Sequence, residues 1–170
     1  TNHQLQSVIR QLETMARTDE LTGLSNRRWF NLMLHGYWAD AMRTDLPMAC
    51  LMIDLDNFKG VNDKLGHDCG DDMLRLAAKV IRANCREEDV PSRIGGDEFC
   101  ILMANTKAED AAGAAQRILQ AFEFAVGNLP EEHPRVSMSI GVANAHVSRP
   151  AHADQLVTHA DEAMYAAKAA

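Results

Sequence analysis

The chain reads as an α+β domain: a mostly antiparallel central sheet covered by helices, with one further helix at its N-terminus. Three observations predict this. Short apolar runs, Val90 to Ile94 and Phe99 to Met103, flank the tetrad Gly95-Gly96-Asp97-Glu98, the pattern of strand, tight turn and strand. The continuous apolar run Cys50-Leu51-Met52-Ile53 before Asp54 reads as a strand buried on both faces. Segments of helical period separate the strands. After the N-terminal helix they give the order α-β-α-α-β-β-α-β-α, which suits a sheet with helices laid over it.

Taken in order, a helix is expected over Asn2–Arg17. There Leu5, Val8, Leu12 and Met15 follow spacings of three, four and three, the seam of a coiled coil, and Ile9 widens the stripe. Barely two heptads is marginal for an isolated helix, so the stripe also suits a capping helix packed on its own domain. A second helix is expected over Asn26–Arg43. The strand Met48–Asp54 runs into acids at alternate positions, which puts Asp54 and Asp56 on the same side of the sheet. A short helix from about Asn57, a turn near Gly66 and a helix over Gly70–Cys85 fit the glycine-punctuated stretch that follows. Then come the strands Val90–Ile94 and Phe99–Met103, with Pro91 marking an edge strand or a strand start. A helix over Ala108–Ala125, an exposed loop around Pro130 and Pro134, a strand over Val136–Ala143 and an Ala-rich helix over Ala153–Ala167 complete the chain.

The chemistry concentrates at the strand end and the hairpin tip. Carboxylates are costly to crowd together unless cations neutralise them. With the tip beside the strand end, Asp54, Asp97 and Glu98 form an acidic cluster suited to two metal ions. Hard oxygen ligands select Mg²⁺, which keeps waters and substrate phosphates in its shell. Such a pair activates an attacking oxygen and stabilises a leaving pyrophosphate. Lys59 suits a phosphate as a point charge. Asn62 and Asp71 are short polar groups able to read a purine edge, and an acceptor-only Asp71 matches the N1–H and N2–H donors of guanine. Each residue also has a plainer reading: a solvated acidic tip, a turn asparagine, a helix-start acid favoured by the macrodipole.

Together these blocks resemble the GGDEF domain, the catalytic module of bacterial diguanylate cyclases. The resemblance runs through Asp19-Glu20-Leu21-Thr22-Gly23-Leu24-Ser25-Asn26-Arg27-Arg28, Asp54 to Lys59 with Asn62-Asp63, and Gly66-His67-Asp68 with Gly70-Asp71. It continues with Gly95 to Phe99 and Ser137 to Ala143, and closes with Ala160 to Lys168. It implies a palm-like sheet of the nucleotidyl-cyclase type and the condensation of two GTP into cyclic di-GMP with release of two pyrophosphates. By matching position, Asp54 and the Leu55 carbonyl would hold Mg²⁺, or Mn²⁺ in its place. Asp97 and Glu98 would supply a further ligand and the base for the ribose hydroxyl, with the division between them open. Gly95 and Gly96 would let the backbone approach the phosphates. Phe58, Asn62 and Asp71 would bind the guanosine, and Lys59 and Lys168 the triphosphate.

One domain offers one GTP site, so the reaction implies a homodimer. Residues 1–18 would be its stalk and residues 19–170 the catalytic domain, with an upstream sensor expected outside this chain. Relatives usually continue past the Tyr-x-Ala-Lys block into a Gly-Arg-Asn tail; this sequence stops at Ala170. Arg86-Glu87-Glu88-Asp89, with five residues between Asp89 and Gly95, matches the family's inhibitory product site. Arg forks onto guanine O6 and N7, and Arg117 is a candidate for the opposing half.

The 170 residues suffice for one domain with a proper core, and the net charge of −7 argues against duplex nucleic acid as a partner. Cys50, Cys69, Cys85 and Cys100 show no CxxC pairing and read as thiols of a reducing, cytoplasmic compartment. The seven histidines lack zinc-like spacing, and the nine methionines fall mostly in apolar patterns. Two other classes stand beside the enzyme: a non-catalytic GTP or cyclic di-GMP receptor, and a cyclase of a different nucleotide product. The full acidic set tells against the first and Asp71 against adenine.

Overall fold

A computed structural model describes residues 1–170. Its elements are α1 (Asn2–Arg17), α2 (Arg27–Thr44), β1 (Met48–Leu55), α3 (Phe58–Leu65), α4 (His67–Ala83), β2 (Val90–Arg93), β3 (Glu98–Ala104), α5 (Ala108–Gly127), β4 (Met138–Asn144), α6 (Ala145–Ser148) and α7 (Ala153–Ala169). The four strands form one sheet in the order β2-β3-β1-β4, with every pairing antiparallel.

The period of two along β1 and β3 sorts the interior into two layers. Ala49, Leu51, Ile53 and Leu55 of β1, with Phe99, Ile101 and Met103 of β3, pack under α4 and α5. Met48, Cys50 and Met52, with Cys100 and Leu102, pack under α2 and α7. The expectation that β1 is buried on both faces therefore holds. By the same parity Asp54 and Glu98, which face each other across the β1–β3 ladder, belong to the α7 side. Cys50 and Cys100 are core thiols of that layer, their sulfurs 3.2 Å apart. Burial pushes the half-buried Cys85 thiol up to about 12, with Asp89 adding to the shift, and leaves it inert.

Three local departures from the sequence reading have physical causes. Helix α4 begins at His67, not Gly70, because Gly66 at φ 88° ends α3 and opens α4 in one residue. Gly70 thus lies inside α4, where a Cβ would run into the Asn62 side chain of α3. The four-residue helix α6 was not foreseen; the Asn144 side chain caps it by accepting from the His146 N–H (3.0 Å). Strand β4 starts at Met138 rather than Val136; Ser137 lies just outside the ladder, where its carbonyl accepts from the Asp56 N–H (2.9 Å). Pro91 does lie on an edge strand, and its carbonyl accepts from the Ser25 N–H (3.1 Å).

Helix α7 lies across β4 and β1. It sits so close that a Cβ on Gly141 would collide with the Ala160 carbonyl and the Met164 backbone. Helix α1 buries none of its residues, so the capping alternative is not what the fold shows: Leu5, Val8, Ile9, Leu12 and Met15 are all exposed. Its C-terminal end is tied to α2 by the Arg17 guanidinium, 4.5 Å over the Trp29 ring, and by Asn26 Nδ2, which donates to Ala16 O (3.2 Å). No helix is long and apolar enough to cross a membrane.

Candidate active site

The antiparallel register of β1 and β3 brings Asp54 opposite Glu98, and the Leu55 N–H donates to the Asp97 carbonyl (3.3 Å). Acids from two distant segments, Asp54 and the Asp97-Glu98 pair, thus meet at one end of the sheet. Burial raises the Asp97 carboxyl, the adjacent Asp54 carboxyl raises it further through hydrogen bonding and charge, and Glu98 adds a smaller push; together they bring it to about 6. Like charges directly across a ladder are destabilising, and α7 answers them with Lys168. Its Nζ donates to Asp54 Oδ2 at 2.7 Å and stands 3.5 Å from Asp56 Oδ1. Burial alone would lower the Lys168 pKa, but the two carboxylates outweigh it and raise the value.

The glycine pair shapes the tip. A Cβ on Gly95 would stand 3.1 Å from Glu98 Oε2, so glycine there leaves room for the folded-back carboxylate. The Glu98 carbonyl accepts from the Ile94 N–H (3.0 Å). Gly96 has open space around it, and its carbonyl receives the fork of Arg93, from Nε at 3.1 Å and Nη2 at 2.8 Å. Arg93 Nη1 donates to both oxygens of Asp19 at 3.3 Å. Burial would raise the Asp19 carboxyl, but hydrogen bonds from Thr22 and the charge of Arg93 hold it below its ordinary value. Arg93 and Asp19 were not singled out from sequence. The only available signal was an arginine two positions before the glycine pair.

The second group of candidates sits on α3 and α4. Phe58, Lys59 and Asn62 line α3, and Gly70 packs against Phe58 and Asn62, which brings them beside the turn of α4 that carries the half-buried Asp71. Lys59 is exposed. Across the whole chain, the buried side-chain oxygens without a hydrogen-bond partner are Asp54 Oδ1 and Asn62 Oδ1. A buried polar atom left unpaired costs about 1–3 kcal/mol, and native interiors pair nearly all of them. The two exceptions fall on one residue of each group.

Arg86, Asp89 and Arg117 line a separate cavity of about 290 Å³ between β3 and α5, with Thr106, Glu109 and Gly113. Asp89 is buried and fully used: it accepts from the Arg86 N–H (2.7 Å) and from Arg86 Nη2 (3.3 Å). Arg86 Nη2 also donates to the Ala104 carbonyl and to Thr106 Oγ1, and Nη1 stands 3.4 Å from Glu88. Arg117 is exposed.

This sheet, its helical cover and its acid-lined strand end define a palm-like α+β domain of the nucleotidyl-cyclase type. A match to the family described as diguanylate cyclase, GGDEF domain, spans residues 16–170. A diguanylate cyclase of Vibrio cholerae is 37% identical over 158 residues, covering 93% of this chain and 48% of that protein. The response regulator PleD of Caulobacter vibrioides is 39% identical over 158 residues, covering 91% of this chain and 34% of that protein. The crystal structure of the coiled coil and GGDEF domain of DgcB from Caulobacter crescentus in complex with c-di-GMP has a TM-score of 0.89 at 27% identity, covering 98% of this chain and 87% of that one. The chain belongs to the GGDEF domain family. It spans half the length or less of these curated relatives.

Proposed function

We propose that this chain is a cytoplasmic diguanylate cyclase domain, joining two GTP into cyclic di-GMP and releasing two pyrophosphates. The observation that carries the reading is the pair of unpartnered buried oxygens. Asp54 Oδ1 lies among crowded carboxylates, where a cation satisfies it, and Asn62 Oδ1 lies in the α3–α4 cleft, where a nucleobase donor does.

The donor set fits Mg²⁺ or Mn²⁺, being hard oxygen throughout: Asp54, Asp97, Glu98 and the Leu55 carbonyl. Mg²⁺ takes the rest of its shell from waters and substrate phosphates. When bound, the metal supplies charge neutralisation for the leaving pyrophosphate and acidifies the attacking hydroxyl. The chain's residues do the rest. Asn62 and Asp71 orient guanine, with Phe58 against the base. Gly95 and Gly96 admit the phosphates close to the backbone, and Lys59 and Lys168 neutralise them. Of Asp97 and Glu98, one holds a metal and the other accepts the ribose 3′-hydroxyl proton. The bond forms from that oxygen to the α-phosphorus of the facing GTP, so positioning and charge supply most of the barrier lowering.

Two domains must therefore face each other. We read residues 1–18 as the stalk that pairs them through the exposed stripe of α1, and residues 19–170 as the catalytic domain. An upstream sensor would act through that stalk. The Arg86–Asp89 cavity is read as a product-inhibition site, with Arg117 as the facing contact. Incubation of the dimeric protein with GTP and Mg²⁺, followed by mass separation of products, tests the reading. Cyclic di-GMP supports it. A dimer that binds GTP without turnover points to a receptor, and a mixed dinucleotide from GTP plus ATP to another cyclase.

A further inference from the structure

Asp56 is the strand-end acid that the nucleotide reading leaves without a task, and its surroundings are built. Ser137 Oγ donates to Asp56 Oδ2 at 2.7 Å, and Ser139 Oγ donates to Oδ1 at 2.8 Å. The Asp56 N–H donates to the Ser137 carbonyl at 2.9 Å. Side chain and backbone are thus both fastened to the start of β4. On its remaining side, Asp56 Oδ1 stands 3.5 Å from Lys168 Nζ, which donates to Asp54 Oδ2 at 2.7 Å. Lys168 therefore has two carboxylate partners, and only Asp54 belongs to the proposed metal set. A divalent ion on Asp54 weakens that carboxylate's pull on the ammonium and repels it directly. Asp56 stays in place as a fixed anion, because both its oxygens are held by hydroxyl donors.

We propose that Asp56, fastened by Ser137 and Ser139, is a positioning residue: it keeps Lys168 at the mouth of the site when Asp54 engages a metal ion, so that the ammonium meets the phosphates of the incoming nucleotide. The phosphate half of this inference rests on the cyclase reading; the holding of Lys168 by Asp56 does not. Asp56 acts through Lys168 and needs no contact with the reacting atoms.

The test is a double-mutant cycle on the full chain, with Asp56→Asn, Lys168→Met and the double variant, read in two ways. The first is the side-chain ¹⁵N signal of the Lys168 ammonium without nucleotide, identified by its loss in Lys168→Met. Two carboxylates slow its proton exchange, so it is expected to be sharp in the parent and broadened in Asp56→Asn. The second is steady-state kinetics with GTP at saturating Mg²⁺. Each single variant is expected to raise KM by roughly five- to tenfold, more than it lowers kcat, the size of a partly screened charge contact. The double variant should be no worse than Lys168→Met. An Asp56→Asn effect that adds fully to Lys168→Met, or that falls on kcat with KM unchanged, overturns the proposal. So does an unchanged ammonium signal in Asp56→Asn, and that readout decides the matter whether or not the protein turns over GTP. Failure of the parent to make cyclic di-GMP counts instead against the cyclase reading.

Discussion

Two acidic loops at opposite ends of β3 make an instructive contrast. At one end Asp89 is buried, and both its oxygens are taken by its own loop through the Arg86 amide and guanidinium. At the other end Asp54 has one oxygen on Lys168 and the other without a standing donor, crowded by the Asp97 carboxyl, whose pKa is pushed up to about 6. Both regions hold a carboxylate against a basic side chain, yet only the second is electrostatically unfinished. The satisfied region is stable by itself, and a ligand there must displace internal hydrogen bonds. The frustrated region gains from a cation as soon as one arrives.

The contrast can be broken from either side. Glu98→Gln is expected to lower cyclase turnover by about a hundred- to ten-thousandfold, the range of a lost proton acceptor, while the circular dichroism spectrum stays that of the parent. Substantial residual turnover removes Glu98 from the chemistry. Next in size, Arg86→Ala is expected to raise the cyclic di-GMP concentration for half-inhibition by at least about tenfold, as loss of a charge-assisted fork would. Unchanged inhibition in a dimeric preparation would leave that cavity without a regulatory role.

Stability sharpens the same comparison. Asp89→Ala empties a buried position and removes the acceptor of the Arg86 amide and one of its guanidinium partners, at a cost of about 1–3 kcal/mol. At about 2–4 °C per kcal/mol for a chain of this size, Tm falls by roughly 5 °C. Asp97→Asn, by contrast, relieves a crowded carboxylate and is expected to raise Tm of the metal-free protein at pH 8; a fall would contradict the frustration argument. The smallest effect is on pH. Asp97 titrates near 6 in the fold against an ordinary value of 3.8. Between those values the folded state binds more protons than the unfolded one, so metal-free stability declines as pH rises through about 6 and levels off above. Denaturant midpoints at pH 5 and pH 7.5 should show that slope in the parent, less of it in Asp97→Asn, and its loss on adding Mg²⁺.

Much of this was legible in the chain. The alternation Leu51-Met52-Ile53-Asp54-Leu55-Asp56 already encodes which face each acid takes, and Gly95-Gly96 marks the hairpin that carries Asp97 to them. Less legible were the supports. Arg93 reaches Asp19 across 74 positions, and Ser137 and Ser139 reach Asp56 across more than 80. No local periodicity records such partners, because the closing contacts are set by β1–β4 register and the packing of the N-terminal loop. Gly70 was read as a helix opener, the usual use of glycine at a boundary. Its position instead serves the close approach of α3 and α4, a tertiary demand invisible in one segment. The α1 stripe allowed two outcomes from sequence, and in the fold all five of its apolar residues are exposed.

Gly141 makes the placement of Lys168 a matter of architecture as much as of chemistry. With no side chain between them, main chain rests on main chain where α7 crosses β4, and the seat of that helix is fixed to within atomic radii. Lys168 rides about one turn beyond Met164, like a tool on a short rigid arm bolted at its base. A single methyl added at residue 141 would lift the bolt, and the far end would swing away from Asp54 with every charge in the site still present. Loss of activity in such a variant would be a failure of aim, curable only by refitting the joint.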